Sequence, residues 1–276
     1  MTATQSREDQ TEPRITLAGP GEWQRRVHAE QVWGTVVTFD LRAPEFGPDY
    51  DEILADAIGY LHQVDAWFST YRVDTPITLL RNGLIEESLT PRPVQEVLAA
   101  CRYARELTHG AFDPWAVPGG VDPSGYVKGW AAGQVADRIV RAGIPNVAVN
   151  AAGDVACRGR QAPGELWAIG IINPYDTQQV VEVVHLGDGA IATSGLYERG
   201  AHITNPHSGR REVFYDSATI VGPDAGLADA LATAALVTGP AAAAWFAGLP
   251  EWSVYFIKDG TVSFFGPAFA LRSEGG

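Results

Sequence analysis

Between Tyr50 and Phe68, the apolar residues Leu54, Ala57, Ile58, Leu61, Val64 and Phe68 recur at three- and four-residue intervals. On a 3.6-residue period they form one stripe, which predicts an amphipathic helix over that span. Thr90, with Pro91 just inside and Glu96 in the early turns, starts a second helix to about Leu107, where His109-Gly110 supplies the stop. A third runs from about Val127 to Ala142, after the glycine-rich PGGVDPSG. Elsewhere the pattern shortens to strand-like runs with Gly, Pro or Asp between them. These are Val32 to Leu41, Val147 to Asn150, Asp154 to Cys157, Trp167 to Ile172, Val180 to Leu186, Phe214 to Val221, Trp252 to Ile257 and Val262 to Phe265. Helices and strands do not alternate in a βαβ rhythm. The expected fold is therefore α+β, with mixed or antiparallel sheets packed with helices in a single large domain over residues 15–276.

Ala230 to Leu249 is uncharged for about the length of a membrane span. Alanine, threonine and glycine dominate it and Pro240 interrupts it, so two short packed helices are expected and no transmembrane segment. Residues 1–14 are polar and charged without an apolar core, which predicts a disordered tail, no export leader and a cytoplasmic location. With 276 residues, 46% of them hydrophobic, the chain can bury a sizeable core. A formal charge of -13 argues against nucleic acid or an anionic membrane as partner, so an anionic ligand must find a local cation. Cys101 and Cys157 are the only cysteines and show neither a disulfide framework nor a zinc spacing.

Candidate chemistry concentrates in three segments. Thr193 to Gly209, TSGLYERGAHITNPHSG, sits between apolar runs and reads as a ligand loop. Thr193 and Ser194 offer hydroxyls, Gly195 a close backbone, Arg199 a fixed cation, and His202 a group that moves protons near neutral pH. Pro118 to Gly129 is a glycine-rich turn leading into a helix, whose free N–H groups suit phosphate. An ordinary helix start with a solvated lysine explains this segment equally well. A P-loop is disfavoured, because Tyr126 stands where its lysine belongs and Lys128 comes too late. Asp229 and Thr233, four apart on a predicted helix, could share a hard cation such as Mg²⁺, although a buried or capping aspartate gives the same spacing. His202 and His207 lack an acidic or cysteine partner at metal spacing, which disfavours zinc.

Taken in order, these segments resemble the blocks of the ApbE-type FAD:protein FMN transferases. The series is Gly34-Thr35, FSTYRVDTPITLLRNG (68–83), THGAFDP (108–114), DPSGYVKG (122–129), NAAGDVACRG (150–159), WAIGIINP (167–174), ATSGLYERGAHITNPHSG and ADALAT, spread over nearly the whole chain. The resemblance implies a fold related to the T-fold. It implies that Trp33 lies near the adenine of FAD, that Tyr71 packs on the flavin ring, and that Ala111, Phe112 and Asp113 line the FAD site. It further assigns Asp122 and Lys128 to the flavin site, Thr193, Ser194, Gly195 and Arg199 to its phosphate wall, and His202 with Ile203 to the pyrophosphate, His202 assisting proton transfer. Asp229, Thr233 and the Gly125 carbonyl match the Mg²⁺ ligands.

The implied reaction passes FMN from FAD to a threonine or serine hydroxyl of an acceptor flavoprotein and releases AMP. A Mg²⁺-dependent FAD pyrophosphate hydrolase would use the same residues with water as acceptor, and a non-catalytic flavin-binding protein would need neither metal nor proton carrier. The chain departs from the family pattern where Ala151-Ala152-Gly153-Asp154 replaces a Gly-Gly-Asp turn, where Trp115 follows FDP, and in the short span from Tyr197 to His202.

Overall fold

The computed structural model describes residues 14–16, 23–195, 205–210 and 212–272. Apart from Arg14, the tail expected over residues 1–14 lies outside these. Strands β1 (Arg14–Thr16), β2 (Gln24–Val32) and β3 (Thr35–Ala43) come first, followed by helices α1 (Tyr50–Phe68), α2 (Pro76–Arg81), α3 (Arg92–Leu107) and α4 (Ser124–Arg141). Six strands succeed them: β4 (Asn146–Ala151), β5 (Asp154–Arg158), β6 (Trp167–Asn173), β7 (Asp176–Leu186), β8 (Gly189–Gly195) and β9 (Ser217–Gly222). Helix α5 (Ala225–Thr238) then leads through a 3₁₀ segment to β10 (Ser253–Lys258) and β11 (Thr261–Phe265).

Among the described residues, nine strands form one sheet in the order β1-β2-β3-β4-β5-β8-β9-β10-β11, and β6 pairs with β7 in a second. All the strand pairs are antiparallel. Side-chain alternation at a period of two gives the sheet two buried faces. Val147, Val149 and Ala151 of β4 join the large core with α1, α3, α4 and α5, while Ala148 turns to a second cluster with Val155, Ile191, Tyr255 and the hairpin residues Trp167, Ile171 and Val184. This is the expected α+β architecture, with its sheets antiparallel. Cys101 sits in the first cluster and Cys157 in the second, both free, and burial pushes the Cys157 thiol up to about 12.

Several elements differ from the sequence expectation for identifiable reasons. The run Val32 to Leu41 is a hairpin end and not one strand: Val32 pairs with Thr35, and Trp33 and Gly34 take φ of 58° and 69°. Two successive positive φ values are what a type I′ turn requires, and a tryptophan in the turn hid it within an apolar run. The β4–β5 hairpin repeats the device, with Ala152 at φ 57° and Gly153 at φ 102°. Helix α4 begins at Ser124 because Asp122 Oδ1 accepts the Ser124 N–H at 3.1 Å. Strand β9 begins at Ser217, later than Phe214, because the Phe214 and Tyr215 N–H groups donate to the Leu236 carbonyl after being drawn toward α5. Helix α2 escaped the periodicity because it is only six residues long, although Thr75 caps it and Pro76 opens it. Thr193, Ser194 and Gly195, read as loop, belong to β8 and pair with Thr219, Ala218 and Ser217.

The uncharged stretch breaks as expected at Gly239 (φ 72°), where α5 gives way to the 3₁₀ segment Gly239–Gly248. Ala225–Gly248 is long and apolar enough to cross a membrane by length and composition, but Ala228, Ala230, Leu231, Ala232, Ala234, Ala235 and Leu236 are wholly buried in the core. Helices α4 and α5 meet almost backbone to backbone. A Cβ placed on Gly129 would lie 2.1 Å from the Ala225 carbonyl oxygen, and one on Gly226 would lie 2.6 Å from the Tyr126 ring.

Gly129→Ala is accordingly expected to lower stability by about 1–3 kcal/mol through overpacking. Gly59→Ala, on the exposed side of α1 where an added Cβ meets nothing within 4 Å, is expected to raise it by about 0.5–1 kcal/mol. Urea denaturation of both variants checks the pair, and equal shifts would contradict the close-approach reading.

Candidate functional site

The glycine contact sets the first turns of α4 against those of α5. Asp229 and Thr233 share one face of α5, and Thr233 Oγ1 lies 3.1 Å from Ser194 Oγ near the end of β8. A Cβ on Gly125 would sit 3.8 Å from that same Thr233 hydroxyl and 3.4 Å from the Phe112 ring, so the α4 backbone at Gly125 borders the hydroxyl pair. Lys128, one turn along α4, donates from Nζ to Asp154 Oδ2 at 2.8 Å and lies 3.8 Å from Asp229 Oδ2. Asp154 opens β5, is 2% exposed, and shares a hydrogen bond with the Asp229 carboxyl. Burial raises its pKa above the usual carboxylate range, opposed by the Lys128 charge and by hydrogen bonds from Lys128 and Asp229. Two carboxylates and two hydroxyls beside the α4 backbone are hard oxygen donors, of the kind that suits Mg²⁺.

Several other expected site residues make contacts of their own. Asp122 Oδ2 lies 4.0 Å from an Arg81 guanidinium nitrogen while its other oxygen holds the first N–H of α4. Ala111 and Phe112 are buried, the Phe112 N–H donating to Thr108 Oγ1 at 3.0 Å. Asp113 accepts from Trp115 N at 2.9 Å and from Arg105 Nε at 2.7 Å. Trp33 and the exposed Tyr71 line one cavity of about 840 Å³ with His62, Asp65, Ser69 and Arg72. The Trp33 indole Nε1 is buried there without a hydrogen-bond partner, on a residue already at positive φ.

Not every expected residue joins the cluster. Thr193 and Ser194 are neighbours on a strand, so they point to opposite faces of the sheet. Thr193 Oγ1 lies 2.8 Å from Thr219 Oγ1 and borders a separate cavity of about 550 Å³ with Arg25, Asp40, Arg42 and Trp167. Gly195 is buried at the end of β8 opposite Ser217. Arg199, His202 and Ile203 lie outside the described residues, whereas His207 is described, its ring 3.4 Å from where a Gly110 Cβ would stand.

The sequence model of the ApbE family matches residues 116–256, which include α4, α5, β5 and β8 with every residue of the cluster. The chain belongs to the ApbE family. The FAD:protein FMN transferase of Vibrio cholerae serotype O1 is 37% identical over 132 residues, 43% of this chain and 39% of that protein. The FAD:protein FMN transferase of Escherichia coli K12 is 32% identical over 151 residues, 51% of this chain and 43% of the relative. The chain thus matches about two fifths of the length of these curated ApbE relatives. The flavin transferase ApbE from Vibrio cholerae has a similar fold, with a TM-score of 0.78 at 21% identity, covering 90% of this chain and 99% of that one. The ApbE protein of Thermotoga maritima superposes with a TM-score of 0.77 at 22% identity, again covering 90% and 99%.

Sequence reasoning missed Asp154 as a member of this cluster, and its signal was slight: one carboxylate at the head of an apolar strand, next to a turn that departs from the family pattern. Removing its cation tests its place. Lys128→Met leaves Asp154 and Asp229 in contact without their ammonium, and is expected to cost about 1–3 kcal/mol at pH 7, discounted from a fully buried pair because Lys128 is a third exposed. A carboxyl whose folded pKa lies above its unfolded value binds its proton more tightly when folded. The loss should therefore shrink as pH falls toward the ordinary carboxylate range. Denaturation curves at pH 7 and pH 5 measure it, and a loss that grew on acidification would refute the assignment.

Proposed function

We propose that the protein transfers FMN from FAD to a threonine or serine hydroxyl of an acceptor flavoprotein in a Mg²⁺-dependent reaction that releases AMP. The observation that carries this reading is the meeting of Gly125, Ser194, Asp229 and Thr233 beside Lys128 at the start of α4. Support also comes from curated members of the family, which are named FAD:protein FMN transferases.

In the proposed reaction the acceptor hydroxyl oxygen bonds to the FMN-side phosphorus of FAD, and the bond from that phosphorus to the bridging oxygen breaks. AMP leaves with the bridging oxygen, and the hydroxyl proton passes to a base. The residue set fits Mg²⁺: Asp229, Thr233 and the Gly125 carbonyl would hold it, with Ser194 hydrogen-bonded to Thr233 beside them. The bound cation would offset negative charge on the transferring phosphoryl group. Lys128 adds a positive charge at the same end of α4, where the helix dipole also favours an anion. Trp33 and Tyr71 offer aromatic surface for the nucleotide rings. The sequence resemblance assigns proton removal to His202 and a further cation to Arg199.

The test is to incubate the protein with FAD and Mg²⁺, with and without an acceptor carrying an exposed threonine motif, and to read the acceptor by mass spectrometry. An FMN-sized adduct on the threonine is expected. Free FMN and AMP formed at a rate independent of the acceptor would assign the site to FAD hydrolysis, and no turnover would leave a flavin-binding protein. His202→Ala is expected to retain FAD binding and to lower transfer by about 10²- to 10⁴-fold. Asp229→Ala should instead shift the Mg²⁺ titration to higher concentration, and transfer by the His202 variant at the wild-type rate under saturating FAD would sink its role as base.

A further inference from the structure

Arg81, at the C-terminal end of α2, lies far in sequence from the α4 start, yet its side chain is the form on which residues 117–122 are folded. Its Nε donates to the Gly119 carbonyl at 2.7 Å and Nη2 donates to the Pro118 carbonyl at 2.6 Å. Nη1 lies 4.0 Å from Asp122 Oδ2. Gly119 and Gly120 take φ of 86° and 103°. A Cβ on Gly119 would lie 2.8 Å from Arg81 Nη2, and one on Gly120 would lie 3.0 Å from Arg81 Cγ and 3.1 Å from the Arg81 carbonyl oxygen. Only glycine fits at either position. The adjacent glycines Gly119 and Gly120 therefore serve to wrap an arginine.

The segment so fixed ends on Asp122, whose second oxygen holds the Ser124 N–H at the first residue of α4. Arg81 thereby sets both the direction of the Asp122 carboxylate and the position of the turn that carries Gly125 and Lys128. A planar guanidinium with a fixed fork of donors is suited to two carbonyls and a carboxylate at once, which an ammonium cannot match. From this geometry we infer that Arg81 is a positioning residue for the FAD site, acting through Asp122 and the start of α4 and not on the nucleotide itself. The inference rests on the proposed function only in naming FAD as the ligand.

The test measures FAD affinity of the full chain by flavin fluorescence with Mg²⁺ and no acceptor, then steady-state transfer with the acceptor. Arg81→Ala is expected to raise the FAD Kd and KM by about 10- to 100-fold, with kcat changed by less than about threefold. Arg81→Lys, keeping the charge and losing the fork, should recover only part of the affinity, and millimolar guanidinium added to the alanine variant should restore it. Arg92→Ala, which removes an exposed arginine paired with Glu96, should leave FAD affinity unchanged. Melting temperatures of all variants are read alongside. Unchanged FAD affinity in Arg81→Ala would overturn the inference, as would an affinity loss that follows the melting temperature and resists guanidinium. Wild-type protein that binds FAD without forming an acceptor adduct would refute the transfer reaction and leave the Arg81 result standing.

Discussion

The contact of α4 with α5 at Gly129 is the constraint from which the candidate site follows. With a Cβ at that position 2.1 Å from the Ala225 carbonyl, no other residue lets the helices come so close. Their separation decides whether Gly125 can border Thr233 and whether the Lys128 ammonium can lie within 4 Å of the Asp229 carboxylate. The small-residue composition that makes α5 look like a membrane span is thus the composition that close packing between two buried helices demands.

The sheet supplies the second condition, because antiparallel register brings several strand ends to one place. Val32 pairs with Thr35, Val37 with Ala151, Ala151 with Asp154, and Val155 with Ile191, so the two tight hairpin turns and the end of β8 gather at one end of the sheet. Alternation then chooses which side chains face the helices. Ser194 and Asp154 do, and Thr193 and Val155 do not. A loop-like reading of TSG treats its hydroxyls as equivalent, whereas a strand makes them opposites.

Much of the fold was legible in the sequence because its signals are local. The stripe from Leu54 to Phe68 gave α1 with both ends, since one amphipathic helix packed on one sheet needs nothing further. Asp229 and Thr233 were legible for the same reason, their spacing being a property of a single helix. What stayed hidden depends on distant contacts. The turn at Trp33 is invisible because indole bulk imitates a strand position, and only pairing between Val32 and Thr35 reveals it. Asp154 and Arg81 lie within family-like blocks whose pattern does not say what they touch, and each takes its meaning from groups in remote segments, Lys128 for one and the Pro118 and Gly119 carbonyls for the other.

The charge of the cluster gives a physical reason for coupling the proposed FAD site to a divalent cation. Lys128 faces two carboxylates, so with both ionised the group is net negative, and with a proton held between Asp154 and Asp229 it is at best neutral. Neither state attracts a pyrophosphate, and the chain as a whole carries a formal charge of -13. A divalent cation among the oxygen donors of Asp229, Thr233 and Gly125 would reverse the local sign while leaving Lys128 held by Asp154, still directed at the start of α4. Such a site would bind nucleotide and metal cooperatively, because each lowers the electrostatic cost of the other. The acidic surface outside it would then disfavour anions everywhere except where the metal, Lys128 and the helix dipole act together.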